Sequence, residues 1–153
     1  GRKRSMSFTT PDITRAVTQG AVRLLEQMSL ACVTELVLAN GRRADIMALS
    51  EKGEIWIVEV KSGKPDFESD GKWHEYRPYC DKFFFAVHES FPLELLPLDT
   101  GLIIADQFGG ALIRPAPEHK LAAARRKAVT LKLARTAAQR FSAQQFAAGF
   151  TPE

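Results

Sequence analysis

The chain holds only two cysteines, Cys32 and Cys80, among 153 residues. Neither sits at metal-ligand spacing, and two isolated thiols exclude a disulfide framework, so a reduced, cytoplasmic setting is expected. No apolar run approaches the roughly eighteen residues of a membrane span, and no signal-peptide pattern is present. The three histidines, His74, His88 and His119, stand far apart and form no ligand cluster; all three are expected at the surface. Also missing are a glycine-rich phosphate loop, a zinc spacing, a nucleophile elbow and any internal repeat. Loop-type nucleotide hydrolysis, zinc chemistry and serine-hydrolase chemistry are thereby set aside.

What remains is a composition of 45% hydrophobic and 25% charged residues. It reads as a single globular domain over residues 1–153, long enough to bury a core unaided, with residues 1–10 expected to form a tail. Net charge is +3, unevenly spread. Residues 118–153 carry seven Lys or Arg against two Glu, a balance of +5; the rest, with fourteen basic and sixteen acidic residues, stands at −2. A basic C-terminal element on a slightly acidic body suits a polyanionic partner, although solvated helix faces are often basic too.

The stretch Arg42–Gly63 is the most informative. Two β-prone runs, Ala44–Leu49 and Glu54–Val60, flank Glu51-Lys52-Gly53. A three-residue hairpin loop places its last residue in the left-handed region, which Gly53 tolerates. That loop pairs Ser50 with Glu54, and counting back along the ladder sets Asp45 opposite Glu59. Lys61, two residues on, shares the face of Glu59. Two carboxylates one cross-strand spacing apart can share a hard divalent cation that keeps waters and takes phosphate oxygens. An adjacent ammonium can orient the attacking water or offset charge in the transition state. The alternative is a plain Glu59–Lys61 ion pair at a strand end.

An Asp followed fourteen residues later by Glu-x-Lys on the next strand resembles the PD-(D/E)XK nuclease superfamily, with Ala44 where that motif usually has Pro. The wider stretch is similar to the MmcB-type DNA repair proteins of bacteria. The residues that carry this are Thr34-Glu35-Leu36, Asn40 to Asp45, Trp56 to Ser62, Lys72-Trp73 and Tyr79 to Phe83. The resemblance implies a restriction-endonuclease-like α/β core: a mixed sheet, built from an antiparallel meander plus a crossover strand, flanked by helices and followed by a long C-terminal helix. It also implies Mg²⁺ or Mn²⁺ held by Asp45, Glu59 and the Val60 carbonyl, with Lys61 assisting water. An acid at Glu35 belongs to the resemblance. A two-residue Asn40-Gly41 loop, however, sets Glu35 across from Ile46, on the face opposite Asp45. Only a loop one residue longer aligns it with the site.

The remaining elements follow from local signals. Thr10-Pro11-Asp12 opens an amphipathic helix over 11–28, with Ile13, Val17, Ala21, Leu24 and Met28 on its apolar stripe and Arg15, Arg23 and Glu26 off it. Cys32–Ala39 reads as a strand. After a break at Ser62–Pro65, a helix is expected over Gly71–Arg77, ended or kinked by Pro78. Lys82–Val87 reads as a strand buried on both faces beside the Glu59 strand. A short helix follows near Phe91–Leu96, then a hairpin from Gly101–Asp106 and Ala111–Arg114. A long helix, Glu118–Ala148, closes the chain, with an apolar stripe through Leu121, Ala128, Leu131 and Phe141.

The expected function is metal-dependent hydrolysis of DNA phosphodiesters in damage repair. Arg42, Arg43, Lys64 and Lys72 are candidates for tracking phosphates. Trp73 is a candidate either for stacking an unpaired base or for filling the helix–sheet interface. The other class of reading is a non-catalytic nucleic-acid-binding or adaptor module that keeps the fold. DNA is the expected partner, with other repair proteins and a second copy of the chain as further candidates, and no membrane.

Overall fold

The computed structural model describes residues 9–69 and 72–149. Most of the expected N-terminal tail, and Gly71 at the start of the expected middle helix, lie outside them. The chain begins with α1 (Thr10–Gln27), whose cap is Thr9, one residue earlier than expected. The reason is a reciprocal pair: Thr9 Oγ1 accepts from the Asp12 N–H at 3.3 Å, and the Thr9 N–H donates to Asp12 Oδ2 at 3.4 Å.

Six strands form one mixed sheet in sequential order: β1 (Ala31–Val37), β2 (Arg43–Leu49), β3 (Ile55–Lys61), β4 (Lys82–Val87), β5 (Gly101–Asp106) and β6 (Gly109–Arg114). The first three are an antiparallel meander, β4 joins β3 in parallel, β5 joins β4 in parallel, and β6 returns antiparallel. The α/β fold is therefore the one read from the sequence. The β3–β4 crossover contains α2 (Lys64–Ser69), where only a break and a polar stretch were expected, and a 3-10 helix, Trp73–Tyr79. Pro78 does not end that helix but sits inside it, one residue before its last position.

The sheet is packed on both faces. Val17, Ala21 and Leu25 of α1 cover one face through Ile46, Trp56, Val58, Phe84 and Ile103. On the other, the 3-10 helix and the C-terminal helix α3 (Ala123–Ala147) bury Ile57, Phe83, Phe85 and Leu36. Every residue of β3 is buried, as befits a central strand. Gly20 lets α1 lie against the β5–β6 turn, since a Cβ there would fall 1.9 Å from the Asp106 carbonyl oxygen.

The long helix starts at Ala123, not Glu118, because residues 118–122 run as an extended strap over the end of β4. The strap is fastened at Asp81, a carboxylate 1% exposed. It accepts from the Ile55 and Leu121 N–H groups at 2.8 and 2.9 Å and from both Arg126 terminal nitrogens at 2.7 and 2.6 Å. Of the expected stripe, Leu121 is buried, while Leu131 is 54% and Phe141 62% exposed. Val129 and Leu133 are the helix's own buried residues, so its apolar burial is confined to the first half.

Candidate active site

At the Gly53 hairpin the register is the one counted from the sequence. The Ser50 N–H donates to Glu54 O at 2.9 Å, Gly53 takes φ +88°, and Met47 and Ile46 pair with Ile57 and Val58. The next rung would be Asp45–Glu59, and there side chains replace the backbone ladder. The Val60 N–H donates to Asp45 Oδ2 at 2.8 Å, and the Asp45 N–H donates to Glu59 Oε1 at 3.1 Å. Each carboxylate thus caps a donor that the separating strands leave without a carbonyl. These crossed bonds hold both acid groups at the mouth between β2 and β3.

The first hairpin differs from its expected form. The Leu38 N–H donates to Arg42 O at 2.7 Å, so the loop is Ala39-Asn40-Gly41, with Gly41 at φ +83°. This is the longer loop, and it shifts the register so that Thr34 faces Ile46 and Leu36 faces Ala44. Glu35 therefore stands level with Asp45, not Ile46. It does so with φ +51°, a left-handed conformation rare for a residue with a β-carbon. The strands change phase at this level: Val33 and Met47 pack on the same face as Leu36 and Ala44, which strict alternation forbids. The kink frees the Glu35–Asp45 rung from the inside–outside pattern of the rest of the sheet.

Burial, contact with the Asp45 carboxyl and its negative charge push Glu59 up to about 10, against the opposing pull of the Asp45 N–H and then of the Lys61 ammonium. Glu59 is 3% and Lys61 5% exposed, so this charge lies at a largely dry strand end. A buried carboxyl beside a second one is costly to charge, and a cation bound between the two offsets that cost. Among the described residues no three His, Cys, Asp or Glu side chains gather closely enough for a metal, so Glu35 does not join the pair. The donor set on offer is Asp45, Glu59 and the Val60 carbonyl, with water and substrate completing it. That composition fits Mg²⁺, which retains waters and takes one or two carboxylates.

These residues open onto a cleft of about 830 Å³ lined by Arg42, Arg43, Asp45, Glu59, Val60, Lys61 and the Ser62-Gly63 turn, with Thr10 and Thr14 of α1 on the opposite wall. Arg42 is tied to Glu75 by an ion pair, and Arg43 is exposed. Lys64 is exposed at the first position of α2, between the lining residues Gly63 and Pro65. Lys72 is exposed at the start of the 3-10 helix and lines none of this cleft. Trp73 is corrected as a base-stacking candidate. It is 8% exposed and packs on Phe83 and Phe85 at ring distances of 5.6 and 5.7 Å, so aromatic burial claims it for the core. Cys32 and Cys80 are both free thiols. Among the described residues no helix is long and apolar enough to cross a membrane.

Sequence reasoning missed the α1 wall of the site, because Thr10 and Thr14 carry no motif. It also gave no role to Asp81, although Asp81 falls within the Tyr79–Phe83 stretch that carries the resemblance and stands directly before a buried strand.

The family described as DNA repair protein MmcB-like matches residues 3–148. The chain belongs to the MmcB-like DNA repair protein family. A solved structure of a Silicibacter pomeroyi protein of unknown function is similar to this MmcB-like chain with 42% identity and a TM-score of 0.85, over 92% of this chain and 94% of that one. No curated protein matches it. Membership in the family points to a role in DNA repair.

Proposed function

We propose that this MmcB-like protein hydrolyses DNA phosphodiesters with a divalent cation, in the manner of the PD-(D/E)XK nucleases. The observation that carries the reading is the crossed Asp45–Glu59 pair, two carboxylates locked by the opposing strand's N–H groups, with buried Lys61 two residues on. Asp45, Glu59 and the Val60 carbonyl would hold Mg²⁺ or Mn²⁺. When bound, such an ion supplies Lewis-acid polarisation of the phosphoryl group and a lowered pKa for water. Lys61, beside Glu59, orients the attacking water and offsets negative charge as the phosphorus takes on a fifth oxygen. The water oxygen forms the new P–O bond, one ester P–O bond breaks, and a phosphate monoester and a hydroxyl are left. Arg42, Arg43 and Lys64 hold neighbouring phosphates at the cleft mouth, and Glu35 stays a neighbour of the site without ligating.

The test is nicking of supercoiled, linear and branched DNA with Mg²⁺ or Mn²⁺. Cleavage is expected from the wild type and at least about 10²-fold slower from Lys61→Ala, the scale of losing one charge-stabilising group. Asp45→Ala is expected to be inactive. Wild type that binds DNA but cuts none of these substrates would favour the second reading, a DNA-binding module without turnover. What favours that reading is the pairing of only two acids, with no third among the described residues.

A further inference from the structure

We propose that the polynucleotide continues past Asp45 into a second cleft, between α1 and the Glu35 kink, where Arg15 and Arg23 hold its phosphates. This rests on the nuclease reading above and adds to it a path for the strand on the far side of the reacting phosphate. The second cleft, about 790 Å³, runs along the flank of α1 that adjoins its buried stripe, with Thr34, Glu35 and Asp45 as the facing wall. It shares Thr10, Thr14 and Asp45 with the first cleft, so the two meet at the catalytic carboxylate.

The charge pattern matches on both sides of that junction. The first cleft has Arg42, Arg43 and Lys61, and the second has Arg15 and Arg23, both exposed. Arg15, Gln19 and Arg23 recur every four residues and so stand in one row, spanning about 12 Å of helix axis. A row of guanidiniums with an amide between them is the chemistry that holds successive phosphates and sugars without reading bases. Acids nearby are Asp12, whose charge acts on Arg15, Glu26, one turn beyond Arg23 on α1, and Glu35 on the facing wall. Glu35 narrows the acceptable path to the α1 side. A mononucleotide would fill one cleft; a chain extending both ways from the reacting phosphate fills two. A strand held on both sides is cut internally.

The competing basic surface is α3, which carries Arg125, Arg126, Lys127, Lys132, Arg135 and Arg140 and no acid between 123 and 147. The experiment is fluorescence anisotropy with a fluorescein-labelled oligonucleotide, single-stranded and as a duplex, in EDTA so that binding is read apart from cleavage. Wild type, R15E/R23E and K127E/K132E are compared over a salt series, with far-UV circular dichroism confirming that all three are folded. R15E/R23E is expected to bind at least about tenfold more weakly, with a salt slope shallower by about 2, one per lost phosphate contact. K127E/K132E is expected to stay within about twofold of wild type, as reversals away from the phosphate track should. Wild-type affinity in R15E/R23E, with or without loss in K127E/K132E, overturns the track and leaves the nuclease reading standing. Loss in R15E/R23E together with no cleavage by wild type in Mg²⁺ or Mn²⁺ keeps the track and removes the nuclease. Failure of wild type to bind either form of DNA removes both.

Discussion

Asp45 serves two ends that can be separated by one atom. As a carboxylate it accepts the Val60 N–H, yet it also sets a negative charge against buried Glu59. Asn keeps the acceptor, can donate to Glu59 and lets that carboxyl ionise without a second negative charge beside it. Asp45→Asn is therefore expected to raise the stability of the metal-free protein by about 1 kcal/mol, or about 3 °C in Tm, while abolishing cleavage. Added Mg²⁺ should raise the melting temperature of wild type and not of the variant. Thermal melts with and without the ion check both halves. Asp81 shows the opposite balance. Burial disfavours its charge, but the Arg126 guanidinium and two backbone N–H groups outweigh burial and bring it down to about 2. A depressed acid contributes stability above its unfolded pKa and loses it as pH falls through its folded value. The Asp81 contribution is thus complete above about pH 4 and fades toward pH 2. Asp81→Asn, leaving Arg126 without its partner, is expected to cost about 3 kcal/mol at neutral pH in denaturant titrations, and the difference from wild type should shrink in that acid window.

Elements meet this site because of where chains come close and where ladders stop. α1 can form one wall only because it rests on the β5–β6 turn at Gly20, where a β-carbon has no room. Gly20→Ala should cost about 2 kcal/mol, the scale of overpacking, and should weaken DNA binding in step as the wall is displaced. A matched melt and binding titration reads this. α3 divides at Leu133. Removing residues 118–153 takes away Leu121, Val129, Leu133 and Arg126 and is expected to unfold the domain. A chain cut after Thr136 keeps all four, loses the Arg140 bonds to the Thr34 and Glu35 carbonyls, and should stay folded with a melting temperature a few degrees below wild type. The Gly53 hairpin was legible in the sequence because a three-residue loop ending in glycine fixes a register, and the register fixes which acids face each other. The Asn40-Gly41 signal misled by one residue, because the same dipeptide also ends the three-residue loop seen here, with Gly41 left-handed. The Glu35 kink was not legible at all. Propensities describe regular strands, and a left-handed glutamate is held by its surroundings, here with Arg140 donating to the Thr34 and Glu35 carbonyls.

At the scale of the whole molecule, a sheet packed on both faces leaves its buried carboxylates, Asp81 and Glu59, at strand ends. Asp81 is spent on Arg126, while Glu59, with Asp45 at the mouth between β2 and β3, opens onto a cleft. Periodicity foretold the packed faces and the parallel β4, since both follow from runs of apolar residues. Of the two readings of Trp73, the interface one holds, with Phe83 and Phe85 as its partners. The sequence did not foretell that α1 supplies a basic flank, because that depends on contacts distant in sequence. The central claim is that Asp45 and Glu59 together form a divalent-cation site. Isothermal titration of Mn²⁺ into wild type, Asp45→Asn and Glu59→Gln tests it most directly. The account predicts saturable Mn²⁺ binding by wild type, competed by Mg²⁺, and its loss in both variants. Equal Mn²⁺ binding by all three proteins, or none by a folded wild type, would contradict it.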